Sequence, residues 1–133
     1  MNTVEWSAAL CLGFEPMDAT HREFVDLLAK TQAADDADLS NCWRAVIEHT
    51  QDHFAREDRW MKKYRFATAE NHILQHRVVL NLMHEGLVFA RTGQFNAVRE
   101  MAGELASWFS KHTQSQDAAL ALHMRREAEL ASH

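Results

Sequence analysis

Hydrophobic residues recur at steps of three and four through most of the chain, the spacing that lines one face of an α-helix. Residues 1–17 lack this rhythm and form an irregular N-terminal arm, with Trp6, Leu10, Leu12 and Phe14 expected to pin it onto the core. Met17, His21, Phe24, Val25 and Leu28 then mark a helix over about 18–33, started by Pro16 and by Asp18 as N-cap. The polar run from Ala33 to Asp38 breaks the pattern, and its aspartates can cap the next helix. Leu39, Trp43, Val46, Thr50, His53, Glu57, Trp60 and Tyr64 line a second helix over about 38–64. Thr68 is placed to cap a third over about 69–91, with His72, His76, Val79, Leu80, Met83 and Leu87 inward and Gly93 ending it. Phe95, Val98, Met101, Leu105, Trp108 and His112, followed by Leu120 and Met124, line a fourth over about 94–128. The prediction is all-α: one domain over 1–133, an antiparallel up-down-up-down four-helix bundle. The last residues stay charged and helix-compatible, as a frayed tail or the stump of a connector would.

Composition narrows the classes. One proline and four glycines in 133 residues disfavour an architecture of many short strands and turns. A net charge of −5 argues against a nucleic-acid partner, which needs a basic face. No stretch approaches the ~20 apolar residues of a membrane span, and the opening MNTVEWSAAL lacks a basic-then-apolar leader. Cys11 and Cys42 have neither metal-ligand nor CxxC spacing and read as reduced, buried, small apolar residues. A cytoplasmic protein without nucleic-acid or membrane partners is expected. No glycine-rich loop supports a phosphate or nucleotide enzyme.

Histidine changes the picture. There are nine, and every predicted helix carries at least one on its inward stripe. Helix one offers His21, helix two the HxxxE pair His53 and Glu57, helix three the HxxxH pair His72 and His76, and helix four the HxxxxD pair His112 and Asp117. Residues four apart advance about 400°, so such a pair can reach one ion. Five histidines and two carboxylates buried without partners would cost several kcal/mol, roughly, for each group, and bound metal satisfies them together. Seven donors exceed one tetrahedral ion but suit two octahedral ions sharing carboxylates. Without paired thiolates, structural zinc is disfavoured and iron is the first choice.

The order H…HxxxE…HxxxH…HxxxxD resembles that of the hemerythrin family, particularly its single-domain bacterial members. Trp6, Gly13 and Asp18 ahead of His21, the stretch HFAREDRWM in helix two, and WFSKH before the last motif extend the likeness over most of the chain. The resemblance implies two iron ions joined by an oxo or hydroxo bridge within a four-helix bundle. His72, His76 and His112 would hold one iron, His21 and His53 the other, and Glu57 and Asp117 would bridge them. The second iron keeps an open position for dioxygen, which takes two electrons on binding and returns them on release. The protein then needs no acid or base, only a dry pocket, with Phe24, Phe54, Trp108 and Phe109 as candidate walls.

The function expected is reversible dioxygen binding, as carrier or store, in a protein that is not an enzyme and is a monomer or weak dimer. The alternative is an oxygen or redox sensory domain that controls a fused or partner signalling output. A ferritin-like di-iron oxidase is a weaker third, because that class uses Glu-x-x-His on two helices and this chain has none.

Three departures from the family pattern stand out. Thr113, followed by Gln114, replaces an aliphatic residue after the last ligand histidine. If either faces the pocket, autoxidation should be faster, which Thr113→Ile would test. Phe66-Ala67 replaces Tyr-Pro before helix three, altering the loop alone. His49, one turn before His53, reads as a bundle-end residue or a support to the ligands. His84, His123 and His133 read as solvated or packing residues. Five residues advance about 500°, leaving His112 and Asp117 roughly 140° apart on a straight helix. A π-bulge between them is therefore predicted.

Overall fold

The stripes dictate which faces meet, and the computed structural model, which describes residues 4–131, packs them as expected. A short 3₁₀ turn, Ala8–Leu10, interrupts the arm. The helices are α1 (Glu15–Ala33), α2 (Asp36–Lys63), α3 (Ala69–Arg91) and α4 (Phe95–His112). A π-helical turn, Thr113–Asp117, joins α4 to α5 (Ala118–Ala131), which continues the fourth rod of the bundle. Among the described residues there is no strand. α1 packs on α2 and α4, and α3 on the same two, which closes an all-α four-helix bundle. Among the described residues no helix is long and apolar enough to cross a membrane.

The connections carry recognisable chemistry. Asp35 caps α2 by accepting from the Asp38 amide at 3.1 Å. Arg99 on α4 braces the α1–α2 link, donating to the Ala34 carbonyl at 3.0 Å and to Asp36 at 2.8 Å. α3 ends in a Schellman motif: Gly93 takes φ +78°, its amide donates to Ala90, and the Gln94 amide donates to Phe89. The end of α2 repeats the 6→1 bond, Phe66 amide to Met61 carbonyl at 2.9 Å, around Arg65 at φ 51°.

Several expectations about the N-terminal region need correction. α1 starts at Glu15, not 18, with Phe14 in the cap position, no side-chain cap, and Pro16 in the first turn. Asp18 is inside the helix and 2% exposed; its carboxylate accepts from the Leu12 amide at 2.8 Å and the Gly13 amide at 3.1 Å. It anchors the arm instead of capping the helix. Arg125 on α5 donates to the Leu12 carbonyl at 2.8 Å, so Leu12 ties the arm to both the first helix and the last. Gly13 turns at φ +74°, and the Arg125 guanidinium occupies the space where a side chain would project. Thr68 sits at the cap of α3 without a side-chain bond. Neither cysteine is buried. Cys11 lies exposed on the arm with its thiol at 3.4 Å from Asp18, and Cys42 is half-buried, one position off the inward stripe of α2. His133 lies outside the described residues.

The core is divided. The larger apolar cluster includes Phe24, Leu28, Trp43, Val46, Phe54, Met83, Val98 and Phe109. The Trp43 indole donates to the Met83 carbonyl at 2.8 Å inside it. A smaller cluster of Met17, Met61, Leu120, Ala121 and Met124 occupies the other end. Along each rod the candidate ligands fall between the two.

Candidate metal centre

Because each rod offers its donors at the same height, the side chains converge in one layer. His72, His76, His112 and Asp117 present ligand atoms within 4.8 Å of one another, and so do His21, His53 and Glu57. All seven are at most 4% exposed. The two groups share their carboxylates. Glu57 Oε2 lies 3.6 Å from His21 and 3.5 Å from His53, while its Oε1 lies 3.8 Å from His72 and 3.4 Å from His76. Asp117 Oδ1 lies 3.1 Å from His72 and 3.2 Å from His112, and its Oδ2 lies 3.4 Å from His21. Each carboxylate thus turns one oxygen to the three-histidine side and the other to the two-histidine side.

The π-turn makes this possible. It falls on Thr113–Asp117, the interval where a straight helix would separate His112 from Asp117. The wider turn brings both side chains onto the inner face, each buried.

The residues fit a metal pair. Both nitrogens of His21 and of His53, Glu57 Oε1, His76 Nε2 and Asp117 Oδ2 are buried without a hydrogen-bond partner among the described residues. The Nε2 atoms of His72 and His112 face one another at 3.1 Å beside Asp117 Oδ1. Three lone-pair-bearing atoms aimed at one spot require a proton or a cation between them. Imidazoles with carboxylates and no thiolate are donors that iron accepts.

Titration in the metal-free layer is governed by crowding. Burial raises the Glu57 carboxyl, and the charge of Asp117 adds to that, yet His53, His21 and His76 outweigh both and hold it at about 2. Burial likewise opposes the charge of Asp117, but His112 and His72 keep its carboxyl well below the usual range. Burial pushes His53 down to about 3. His76 goes the other way: burial lowers it, but Asp58 and then Glu57 raise it to about 9. His21 is also raised, against burial, by Glu57 and Asp117.

Two supporting residues escaped the reading of the sequence. Asp58 Oδ1 accepts from His76 Nδ1 at 2.8 Å, and Gln75 Oε1 accepts from His112 Nδ1 at 3.2 Å. Each acceptor fixes its histidine in the tautomer that leaves the Nε2 lone pair facing the centre. The sole signal in the sequence was a polar residue directly beside a ligand-type residue, which also describes an ordinary solvated helix face.

The aromatic candidates divide between the two sides. Phe24 and Phe109 stack at 4.4 Å, with Phe109 at 5.3 Å from His21 and Phe24 at 6.3 Å from His53. Phe54 stacks on His76 at 3.8 Å and meets His53 edge-on at 4.7 Å. Trp108, half-buried, stacks on His112 at 4.3 Å and belongs to the three-histidine side. Thr113 is fully buried, its hydroxyl without a partner among the described residues, whereas Gln114 is exposed and bonded to Ser110. His84 pairs with Gln51, and His123 donates to the Tyr64 carbonyl, both away from the layer.

Comparison with known proteins agrees with this arrangement. The profile of the hemerythrin HHE cation binding domain matches residues 12–129. A bacteriohemerythrin of Ralstonia nicotianae is 36% identical over 117 residues, covering 88% of this chain and 85% of that protein. The matched region contains all seven converging donors, the arm's turn at Gly13 and the π-turn. With a profile match over most of its length and a relative of this identity and coverage, the chain belongs to the hemerythrin family.

Proposed function

We propose that the layer holds two iron ions and that the protein binds dioxygen reversibly there, as a carrier or store. The observation that carries this reading is the split aim of the two carboxylates, one oxygen of each toward either histidine group. Such an aim would let Glu57 and Asp117 serve two ions at once. His72, His76 and His112 would hold one ion, and His21 and His53 the other, the side with fewer histidines being where dioxygen would bind. Two ferrous ions held there would supply the electrons for reversible dioxygen binding.

The chain's own contribution is exclusion and orientation. Phe24 and Phe109 lie over His21 and His53, and Phe54 closes the flank toward His76. Apolar rings there would keep water and proton donors from the two-histidine side, which would favour release over irreversible oxidation. Asp58 and Gln75 hold His76 and His112 in their working tautomers. No residue is assigned a role in transforming an organic substrate, so the protein is read as a binder and not an enzyme.

The test is the visible spectrum of iron-loaded protein, reduced without air, before and after oxygen is admitted. Charge-transfer bands that appear with oxygen and vanish when it is withdrawn would uphold the reading. Immediate, irreversible conversion to the oxidised spectrum would sink it and favour a redox-sensing role.

A further inference from the structure

The seven converging donors are sealed from solvent, so an ion needs a route to them. Cavities on the outer face of α4, at the α2–α3 turn and between Trp43 and Met101 touch none of the seven. A cleft of about 330 Å³ between α1 and α2 does. Glu23, His49, Asp52, Arg56 and Arg59 line it, and His53 forms its floor.

Three observations point to what the cleft takes. His49, His53 and Glu57 succeed one another at steps of four on α2, so possible ligands run down one face from a half-buried position to the shared carboxylate. The rings of His49 and His53 are 5.8 Å apart. The Nδ1 atoms of both are buried without a partner among the described residues, and His53 is only 4% exposed. A ligand histidine ordinarily donates its second nitrogen to an acceptor, as His76 and His112 do here; among the described residues His21, His53 and His72 do not, and of these three only His53 lines the cleft.

The mouth is nearly charge-balanced. Glu23, Asp52 and Arg59 are exposed, and Arg56 is held to the wall by its bonds to Pro16 and Thr20 while lying over Trp60 at 4.8 Å. Two carboxylates against two guanidiniums cancel at a distance, so the pull on a cation is short-range, at Glu23 and Asp52 themselves. Selection then falls to the imidazole nitrogens, which accept first-row transition ions and not calcium or magnesium.

We propose that this cleft is the loading port of the metal centre for divalent transition-metal ions. Glu23 and Asp52 gather the hydrated ion at the mouth, His49 takes it up as water is shed, and His53 and Glu57 receive it one and two turns deeper. The step is ligand exchange, with no change of oxidation state. It rests on the reading of the layer as a metal centre, but not on what dioxygen does there.

The test uses Co²⁺, whose visible bands report binding, mixed in a stopped-flow instrument with the metal-free full chain. Two variants are compared with the parent: His49→Ala, and Glu23→Gln combined with Asp52→Asn at exposed positions. Circular dichroism and thermal melting of each metal-free variant establish that it folds. Loading should slow by roughly tenfold or more in both, as loss of local ion concentration predicts. Final stoichiometry and end-point spectrum should match the parent. Zn²⁺ should compete for the rate in the parent, and Ca²⁺ should not. Loading at the parental rate in both folded variants would overturn the port alone. A rate that depends on Arg59→Gln and not on His49→Ala would overturn it in favour of an anion site. Failure of the parent to bind Co²⁺ at all would overturn both the port and the metal centre.

Discussion

Asp58 does for His76 what no residue of the metal layer can do for itself: it settles which nitrogen carries the proton. Asp58→Asn keeps an acceptor of the same shape but removes the charge. Metal affinity measured by competition with a chelator should fall about 10- to 100-fold, with helix content unchanged. Thr113 poses a different problem, a hydroxyl buried in the π-turn with no partner among the described residues. Thr113→Val preserves the shape and deletes the polar atom. It should raise stability by about 1 kcal/mol in denaturant titration and slow autoxidation of the oxygenated protein. The converging donors were legible in the sequence because metal chemistry needs fixed residue types at helical spacing. Asp58, Gln75 and the inward burial of Thr113 were not legible, since each depends on how neighbouring helices are rotated. The same limit applies to the cysteines, whose exposure is set by the arm and by a single step off the stripe of α2.

Among the elements, the π-turn has a role that can be isolated. The arithmetic of about 500° over five residues required a departure from the α-helix between His112 and Asp117, and the departure lies there. Deleting Ser115, an exposed residue of that turn, should restore a regular helix in which His112 and Asp117 stand four residues apart, an advance of about 400°. Asp117 would stay in the layer, because the turn only absorbs one extra residue. Circular dichroism should stay helical and Co²⁺ binding should remain at two ions per chain; loss of an ion would refute the role given to the turn. The start of α1 shows the opposite case. Asp18 has the residue type and position of an N-cap, and Pro16 lies where helices begin, so local rules place the boundary there. The boundary moves to Glu15 because the Asp18 carboxylate is claimed by amides of the arm, a tertiary contact that local periodicity does not encode.

For the whole molecule, a bundle centred on titratable groups ties stability to pH when metal is absent. His53 has its proton affinity lowered by burial, from 6.5 to about 3, so unfolding takes up a proton in that window and stability falls as pH drops through it. Glu57, held at about 2 against an ordinary 4.5, extends the loss at still lower pH. His76, raised to about 9 by Asp58 and Glu57 despite burial, keeps a proton that the unfolded chain releases above 6.5. Stability therefore also falls as pH climbs from there to 9. The melting temperature of the metal-free protein should peak near pH 6.5. The alkaline limb should amount to something on the order of 1–3 kcal/mol and shrink in Asp58→Asn. The fold itself was readable because four long stripes with short breaks leave few alternatives to a bundle. The division of its core has a further consequence. On each rod the donors interrupt the apolar packing: Met17, His21, Phe24 on the first, and Phe109, His112, Asp117, Leu120 on the fourth. Without metal, the two oily ends are separated by a stratum whose members compete for protons, so each end should open by its own equilibrium. Amide exchange should then be faster near Met61 and Leu120 than around Trp43 and Val98, and the two rates should converge once metal is added. Cooperative unfolding would in this sense be a property of the metal-loaded protein, with the ions joining two separately melting halves into one.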